Sequence, residues 1–592
     1  FMSPRHLPRP RLAFTPSTPA GKAQHHSQVR KRLLHAAALR MIQTMSTATP
    51  DSIATPDANS SASDACYLAL KARDARFDGR FFTGVTSTGI YCRPVCRVRT
   101  PRRENCQFFT LAAQAESAGY RPCLRCRPEL APSATPTPGA PTATFAGSTL
   151  PWSTQDAAAI LAQQAARLLD EPTLWSDGAP SMADLAARLG VSERHVRRIF
   201  ETHWGVSPLQ YLQTRRLLMA KRLLTDTQLP VAQVAALSGF SSVRRFNASF
   251  VEHYRLQPRQ LRQARGPANA LPQETGIVLK GSYRPPYDVA AMLGFFATRQ
   301  IAGVEAVDPA LGTLARTLSL TVAGHTHSGW VQARFVPDSC TVVFHISNSL
   351  GAVLPQVLAR VRALLDLDAE PWAINPCLQD DFPGLDGLRV PGCLDGFELG
   401  VRAILGQQIT VRAACTLGAR LVERYGSDLA DGADRSLAAP GLKRLFPTPQ
   451  ALLQASGEDL GQLGIVRQRQ RAIQALAQAV VQGDVVLQPG VDIPTTLAAL
   501  QTLPGIGPWT AQYIAMRALR WPDAFVAGDV ALQKALGVQA ANNPKQAAQA
   551  AEAASQRWKP WRSYAVVRGW ASLANPTPSA SDAAVETKKL SF

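Results

Sequence analysis

The segment Leu503-Pro504-Gly505-Ile506-Gly507-Pro508-Trp509 does most to restrict what this chain can fold into. Two glycines two residues apart separate a helical run, Thr496–Thr502, from a second one, Pro508–Leu519. Glycine supplies a positive-φ turn and lets backbone N–H groups approach a ligand closely. Proline suits the first turn of a helix, where its missing donor costs nothing. The free N–H groups at that helix start form a phosphate seat without any basic side chain. Trp509 and Tyr513 are spaced i, i+4 and share one helix face. Asp529 follows in Gly528-Asp529-Val530. A phosphate-binding hairpin, an aromatic wall and a lone carboxylate are what excision of a base from DNA requires.

Other stretches accompany the hairpin: Pro285-Pro286-Tyr287-Asp288, Met292-Leu293-Gly294-Phe295, Leu388-Arg389-Val390-Pro391-Gly392-Cys393, Arg402-Ala403-Ile404-Leu405-Gly406-Gln407 and Arg557-Trp558-Lys559-Pro560-Trp561. Together they resemble the AlkA-type 3-methyladenine DNA glycosylases of the helix-hairpin-helix superfamily, over residues 280–575. The resemblance implies Asp529 as the catalytic carboxylate, stabilising positive charge on the sugar or orienting water. It implies a base pocket of Phe295, Trp509, Tyr513 and Trp570. Electron-rich rings attract a cationic alkylated purine by roughly 0.5–2 kcal/mol. It places DNA backbone contacts at Gly505 and Gly507, and a monovalent cation on the carbonyls of Gln501, Leu503 and Ile506. Two positions depart from the pattern. Gln408, with Ile409 next, stands where the family wedges a leucine into the base stack, and Val530 stands where a tyrosine follows the catalytic Asp. Asp523 reads as a helix cap, and Trp558 and Trp561 as core packing.

At 592 residues the chain exceeds one core, and three to four domains are expected. The formal charge of +20 favours a polyanionic partner. Residues 61–130 hold 12 basic and 6 acidic side chains, and residues 181–266 hold 14 and 5. The half from 267 onward is near neutral, so its grip on DNA is expected to rest on the backbone hairpin. No apolar run reaches membrane-spanning length. Ten cysteines with no secretory signal point to a reducing compartment, and a cytoplasmic, nucleoid-associated protein is expected. The start, from Phe1, carries eight Lys/Arg and no acid over residues 1–50. That composition fits an organellar transit segment. The plainer expectation is a disordered basic tail, or a start set too early with Met41 or Met45 as later candidates.

Cys92-x3-Cys96 and Cys123-x2-Cys126, with 26 residues between the pairs, have zinc-site spacing. Four thiolates on Zn²⁺ leave a net charge of −2, which makes an exposed sulfur a competent nucleophile toward alkyl groups. On spacing alone an inert structural knuckle is the plainer reading. The surrounding Arg73-Asp74-x3-Asp78-Gly79-Arg80-Phe81-Phe82, Thr88-Gly89-Ile90-Tyr91-Cys92-Arg93-Pro94 and Ala118-Gly119-Tyr120-Arg121-Pro122-Cys123 resemble the N-terminal domain of Ada-type adaptive-response proteins. That resemblance implies Cys92 as irreversible acceptor of a methyl group from a DNA methylphosphotriester. Cys96, Cys123 and Cys126 become its co-ligands on one zinc, and Thr88, Arg97, Arg99 and Arg121 the DNA contacts. Cys66, Cys106, Cys340, Cys377, Cys393 and Cys415 read as buried or idle thiols.

Met182–Ser192 has a helical apolar period broken at Gly190, and the helix Ser192–His203 after it carries Arg194, Arg197 and Arg198. The design repeats at Val231–Phe240, followed by Ser242–Tyr254 with Arg244 and Arg245. Gly in the turn and a basic second helix fit helix-turn-helix geometry. Two such units joined by a helix over Pro208–Thr225 resemble the AraC-type DNA-binding domain.

The expected fold is multidomain α+β. It comprises a disordered tail (1–60), a small zinc-bound domain (61–130), a linker and helix (131–177) and an all-α double helix-turn-helix domain (178–266). A linker (267–279), a mixed α/β subdomain (280–370), an all-α helix-hairpin-helix glycosylase domain (371–575) and a disordered tail (576–592) complete it. The Pro-rich linkers suggest modules without a rigid shared core. No Pro-Cys-His motif of an O6-alkylguanine transferase occurs. The expected partner is double-stranded DNA, both lesions and promoter sites, with RNA polymerase beside it, and the chain is expected as a monomer. The competing expectation is a transcription regulator of the alkylation response whose glycosylase half only binds lesions.

Overall fold

The computed structural model describes residues 56–133, 154–170, 181–263, 276–429, 441–539 and 543–574. The basic start, most of both expected linkers and the C-terminal tail lie outside the described residues. The helix Pro56–Ala72 begins inside the span expected as tail. It leads into a four-stranded sheet of β1 (Phe82–Val85), β2 (Ile90–Cys92), β3 (Cys106–Phe109) and β4 (Arg121–Pro122), in the order β3-β1-β2-β4. Phe82, Tyr91, Ala115 and Tyr120 form its small core. Four buried side chains cannot hold such a domain alone, so a metal is the expected staple.

The helix-turn-helix region folds close to its sequence expectation. Met182–Leu189 and Glu193–Trp204 form the first unit, Val231–Leu237 and Val243–Tyr254 the second, and Pro208–Asp226 joins them. Ser181, Ser192, Ser207 and Ser242 each accept the N–H three residues on, satisfying a helix start. Gly190 ends the first helix at φ 67°, which only glycine adopts freely.

A five-stranded antiparallel sheet follows: β5 (Ile277–Ser282), β6 (Glu305–Asp308), β7 (Thr313–Val322), β8 (His325–Val336) and β9 (Thr341–Ile346), ordered β5-β9-β8-β7-β6. β5 starts within the segment expected as linker. Val342, Phe344 and Ile346 enter the core as the alternation predicts, whereas Cys340 sits in a left-handed turn before the strand. The remaining helices, from Pro371–Leu378 to Arg562–Ala574, build two apolar cores, one around Leu476 and Ile514, the other around Trp558 and Trp561. The multidomain architecture thus matches expectation. Among the described residues no helix is long and apolar enough to cross a membrane.

The expectation of modules without a shared core is overturned. One apolar cluster runs from Leu217, Leu223, Phe246 and Phe250 of the helix-turn-helix region into Leu279, Phe344 and Leu358 of the sheet subdomain. The inter-helix segment has apolar residues on several faces, and each face finds a partner. Polar contacts tie the small zinc domain to both of these neighbours. Arg284, 1% exposed, donates to the carbonyls of Asp78 (2.9 Å), Pro132 (3.2 Å) and Ser133 (3.0 Å) and pairs with Glu370 at 3.3 Å. Arg127 pairs with Asp226 at 2.6 Å, and Lys221 with Glu129. Burial raises the Glu129 carboxyl, but Lys221 and Arg127 outweigh it and hold it at about 2. Removing one partner of a buried ion pair leaves the other uncompensated, at roughly 3–5 kcal/mol. Arg284→Ala is therefore expected to shift the urea midpoint of the complete chain strongly downward. An unchanged midpoint would show that the Arg284 contacts contribute nothing.

Candidate active site and metal centre

The hairpin lies between the helices Ile493–Thr502 and Pro508–Arg517. Gly505 holds φ 79°, and a Cβ there would lie 2.9 Å from the Ala472 methyl group. Gly507 faces open space at the start of the second helix, with Pro508 in its first turn. The N–H groups of that helix start are thereby left to a ligand. The Leu503 carbonyl accepts the Ile506 N–H at 3.2 Å, so part of the proposed cation ring of Gln501, Leu503 and Ile506 serves the turn itself.

Asp529 caps the helix Val530–Ala535. Its Oδ1 accepts the Leu532 N–H at 2.8 Å and Trp570 Nε1–H at 3.0 Å, and its Oδ2 accepts Trp509 Nε1–H at 3.0 Å. Both oxygens are therefore aimed by donors. Trp509 and Tyr513 stack at 5.1 Å with planes 10° apart. Phe295, Trp509, Tyr513, Trp570 and Asp529 all line one cavity of about 720 Å³ between the sheet subdomain and the helical domain. The five residues named from the sequence are thus brought together.

The same cavity holds residues that sequence reasoning passed over. Cys393 and Cys415, read as idle thiols, line it. Burial pushes the Cys393 thiol up to about 12, with the Arg517 charge opposing. Arg299 and Arg517 also line it, their guanidinium carbons 4.0 and 4.8 Å from the Phe295 ring centre. Phe295 therefore already stacks against the protein's own cations. Arg517 donates to the Tyr513 hydroxyl at 2.5 Å. The available signal was spacing: Arg299 is four residues beyond Phe295, and Arg517 four beyond Tyr513. Gln408, exposed at φ 55°, stands at the tip of its turn, while Ile409 lines the cavity. Val530 is 68% exposed and does not line the cavity. Asp523 is not a cap. Its two oxygens take Arg562 Nε and Nη2 at 2.7 and 2.8 Å, because that guanidinium is buried and needs a fork-shaped partner. Trp558 and Trp561 are buried core.

In the small domain the turn after β2 and the turn after β4 bring Cys92, Cys96, Cys123 and Cys126 together, all four Sγ within 4.8 Å of one another. A tetrahedral zinc site with bonds near 2.3 Å has sulfur–sulfur edges of about 3.8 Å, so the four fit one Zn²⁺. Hydrogen bonds with Cys126, Cys92 and Cys96 hold the Cys123 thiolate far below a free thiol, and the bond with Cys123 pushes Cys92 well above one. A dication would remove that competition by deprotonating all four. The Arg93 N–H donates to Cys126 Sγ at 3.3 Å. Cys92 is 7% exposed; Cys126 is the more open member. Cys66 and Cys106 stay outside the cluster, burial raising the Cys66 thiol to about 12.

Thr88, Arg97 and Arg99 are exposed and Arg121 half-exposed on the small domain. Arg194, Arg197 and Arg198 are exposed on a helix whose other face buries Val196, Ile199 and Phe200. Arg244 and Arg245 are exposed opposite buried Phe246 and Phe250.

Four family models match the chain in order. They are the metal binding domain of Ada over residues 65–129 and a helix-turn-helix domain over 185–264, then the AlkA N-terminal domain over 278–395 and the HhH-GPD superfamily base excision DNA repair protein over 401–561. DNA-3-methyladenine glycosylase 2 of Escherichia coli (strain K12) is 37% identical over 49% of this chain and 95% of its own length. The bifunctional transcriptional activator/DNA repair enzyme Ada of Escherichia coli (strain K12) is 32% identical over 27% of this chain and 37% of its own. A probable bifunctional transcriptional activator/DNA repair enzyme AlkA of Mycobacterium tuberculosis (strain CDC 1551 / Oshkosh) is 35% identical over 86% of this chain and 96% of that protein. An AlkA-like glycosylase domain is here fused to an Ada-type zinc domain and an AraC-type helix-turn-helix regulator, and the chain belongs to the family of bifunctional Ada/AlkA transcriptional activators and DNA repair enzymes.

Proposed function

We propose that the helical half releases alkylated bases of the 3-methyladenine type from DNA by hydrolysing the N-glycosidic bond. The observation that carries this is Asp529, its two oxygens aimed by three N–H donors beside an aromatic cavity. A base swung out of the duplex enters the cavity lined by Trp509, Tyr513 and Trp570. As the C–N bond stretches, positive charge grows on the sugar and Asp529 faces it. The N–H groups after Gly507 hold the neighbouring phosphate. The carbonyls of Gln501, Leu503 and Ile506 are the proposed seat of a monovalent cation.

The zinc domain is proposed as a stoichiometric acceptor. Bound zinc keeps the four sulfurs deprotonated. The Cys92 sulfur attacks the methyl carbon of a methylphosphotriester; an S–C bond forms, the C–O bond breaks, and a phosphodiester anion leaves. Thr88, Arg97, Arg99 and Arg121 grip the DNA. The cluster loses one negative charge, which eases its approach to phosphates. Arg194, Arg197, Arg198, Arg244 and Arg245 then serve promoter binding, with RNA polymerase as the further partner of a monomeric, cytoplasmic, nucleoid-associated protein. The test pairs two assays on one preparation: base release from methylated DNA, and methyl transfer from methylphosphotriester DNA. Both are expected. Binding of methylated DNA with no base released would leave only the regulator.

A further inference from the structure

We propose that Gln407 is a positioning residue that locks the turn bearing Gln408 to the phosphate-binding hairpin, so that base extrusion and backbone grip keep one register. The inference rests on the glycosylase reading of the same site. The helix Gly396–Leu405 ends at Gly406, and the helix Val411–Tyr425 starts at the Thr410 cap. The turn between them carries Gln407 and Gln408. Both amide hydrogens of Gln407 cross to the hairpin: Nε2 donates to the Gly505 carbonyl at 2.8 Å and to Thr510 Oγ1 at 3.0 Å. Thr510 is buried in the first turn of the helix that carries Trp509 and Tyr513. The Gln407 carbonyl accepts from Arg469. Arg469 lies on the helix Arg467–Gln482, whose Ala472 packs against Gly505. One helix therefore backs both loops, and one side chain ties them.

The neighbour of this tie is held off the comfortable backbone. Gln408 sits at φ 55° and is exposed. A left-handed glutamine is strained and persists only where its surroundings fix it. The fixed surroundings are Gln407 and its partners. Releasing Gln407 would let the turn relax and shift Gln408 relative to the hairpin, while each helix core stays as it was.

The test uses the complete chain and a duplex with 2-aminopurine beside a lesion, whose fluorescence rises when stacking is lost. Losing two hydrogen bonds of ordinary strength corresponds to roughly ten- to thirtyfold. Gln407→Ala and the isosteric Gln407→Glu, which cannot donate to Gly505, are each expected to cut extrusion at least about tenfold, while the chain still unfolds in a cooperative thermal transition above the assay temperature. Thr510→Val removes one partner and should give an intermediate loss, keeping the test sound if the Gln407 variants fold poorly. A cycle with Gln408→Ala should be non-additive, since Gln407 acts through its neighbour. Wild-type extrusion by Gln407→Glu, or strict additivity, would overturn the proposal. Wild-type protein that extrudes the base yet releases none would instead overturn the glycosylase reading, with the Gln407 comparison still decided by fluorescence.

Discussion

Asp529→Asn is expected to abolish base release while lesion binding survives, a loss of at least about 10²-fold in rate. The size follows from geometry. Leu532 and Trp570 direct N–H donors at one oxygen, and Trp509 directs a third at the other. An asparagine has one carbonyl oxygen, so its NH₂ must meet one of these donors. It thus loses the negative charge and the orientation together. Cavity volume and the stacked pair Trp509–Tyr513 stay intact, so binding to an abasic analogue is the proper control. Undiminished release by the pure variant would sink the assignment of the carboxylate.

Cys92→Ala is expected to eliminate methyl uptake from methylphosphotriester DNA and leave base release standing. Three sulfurs and a water can still hold zinc, an arrangement seen in catalytic zinc sites. Stripping the ion altogether should do more. Metal binding is folding energy for a domain with so small a core. Asp78, Arg127 and Glu129 of that domain hold Arg284, Asp226 and Lys221. A chelator is therefore expected to lower the thermal midpoint of the complete chain, by roughly 1 °C for each kcal/mol lost in a chain of this length. Mass spectrometry locates the methyl group; a methyl on any cysteine but Cys92 would overturn the acceptor assignment.

Much of this was legible in the residues because the signals were local. Serine caps, the glycines of the helix-turn-helix units and the Gly-x-Gly hairpin act within a few positions of themselves, and the structure keeps them where the pattern put them. Cysteine spacing served as well, since tetrahedral geometry admits few arrangements. What stayed hidden was which surfaces meet. An apolar stripe on Pro208–Asp226 announces burial but does not name Leu279 or Phe344 as its cover. Asp523 shows the same limit in one residue: next to a helix end it reads as a cap, and only the fold brings Arg562 to it. The thiols of Cys393 and Cys415 read as idle for want of any local mark of the cavity they face.

The cluster that runs from Phe246 to Phe344 also has an arithmetic consequence. A sensor and an enzyme encoded on separate genes can be made, lost and renewed in any ratio. Here one unfolding event strips the cover from both faces at once. The cell that makes this chain holds its detector and its excision machinery in fixed equal numbers with a common lifetime. Splitting the gene between the helix-turn-helix region and the sheet subdomain would leave an apolar face bare on each half until the two met again, so the fusion, once formed, resists being undone.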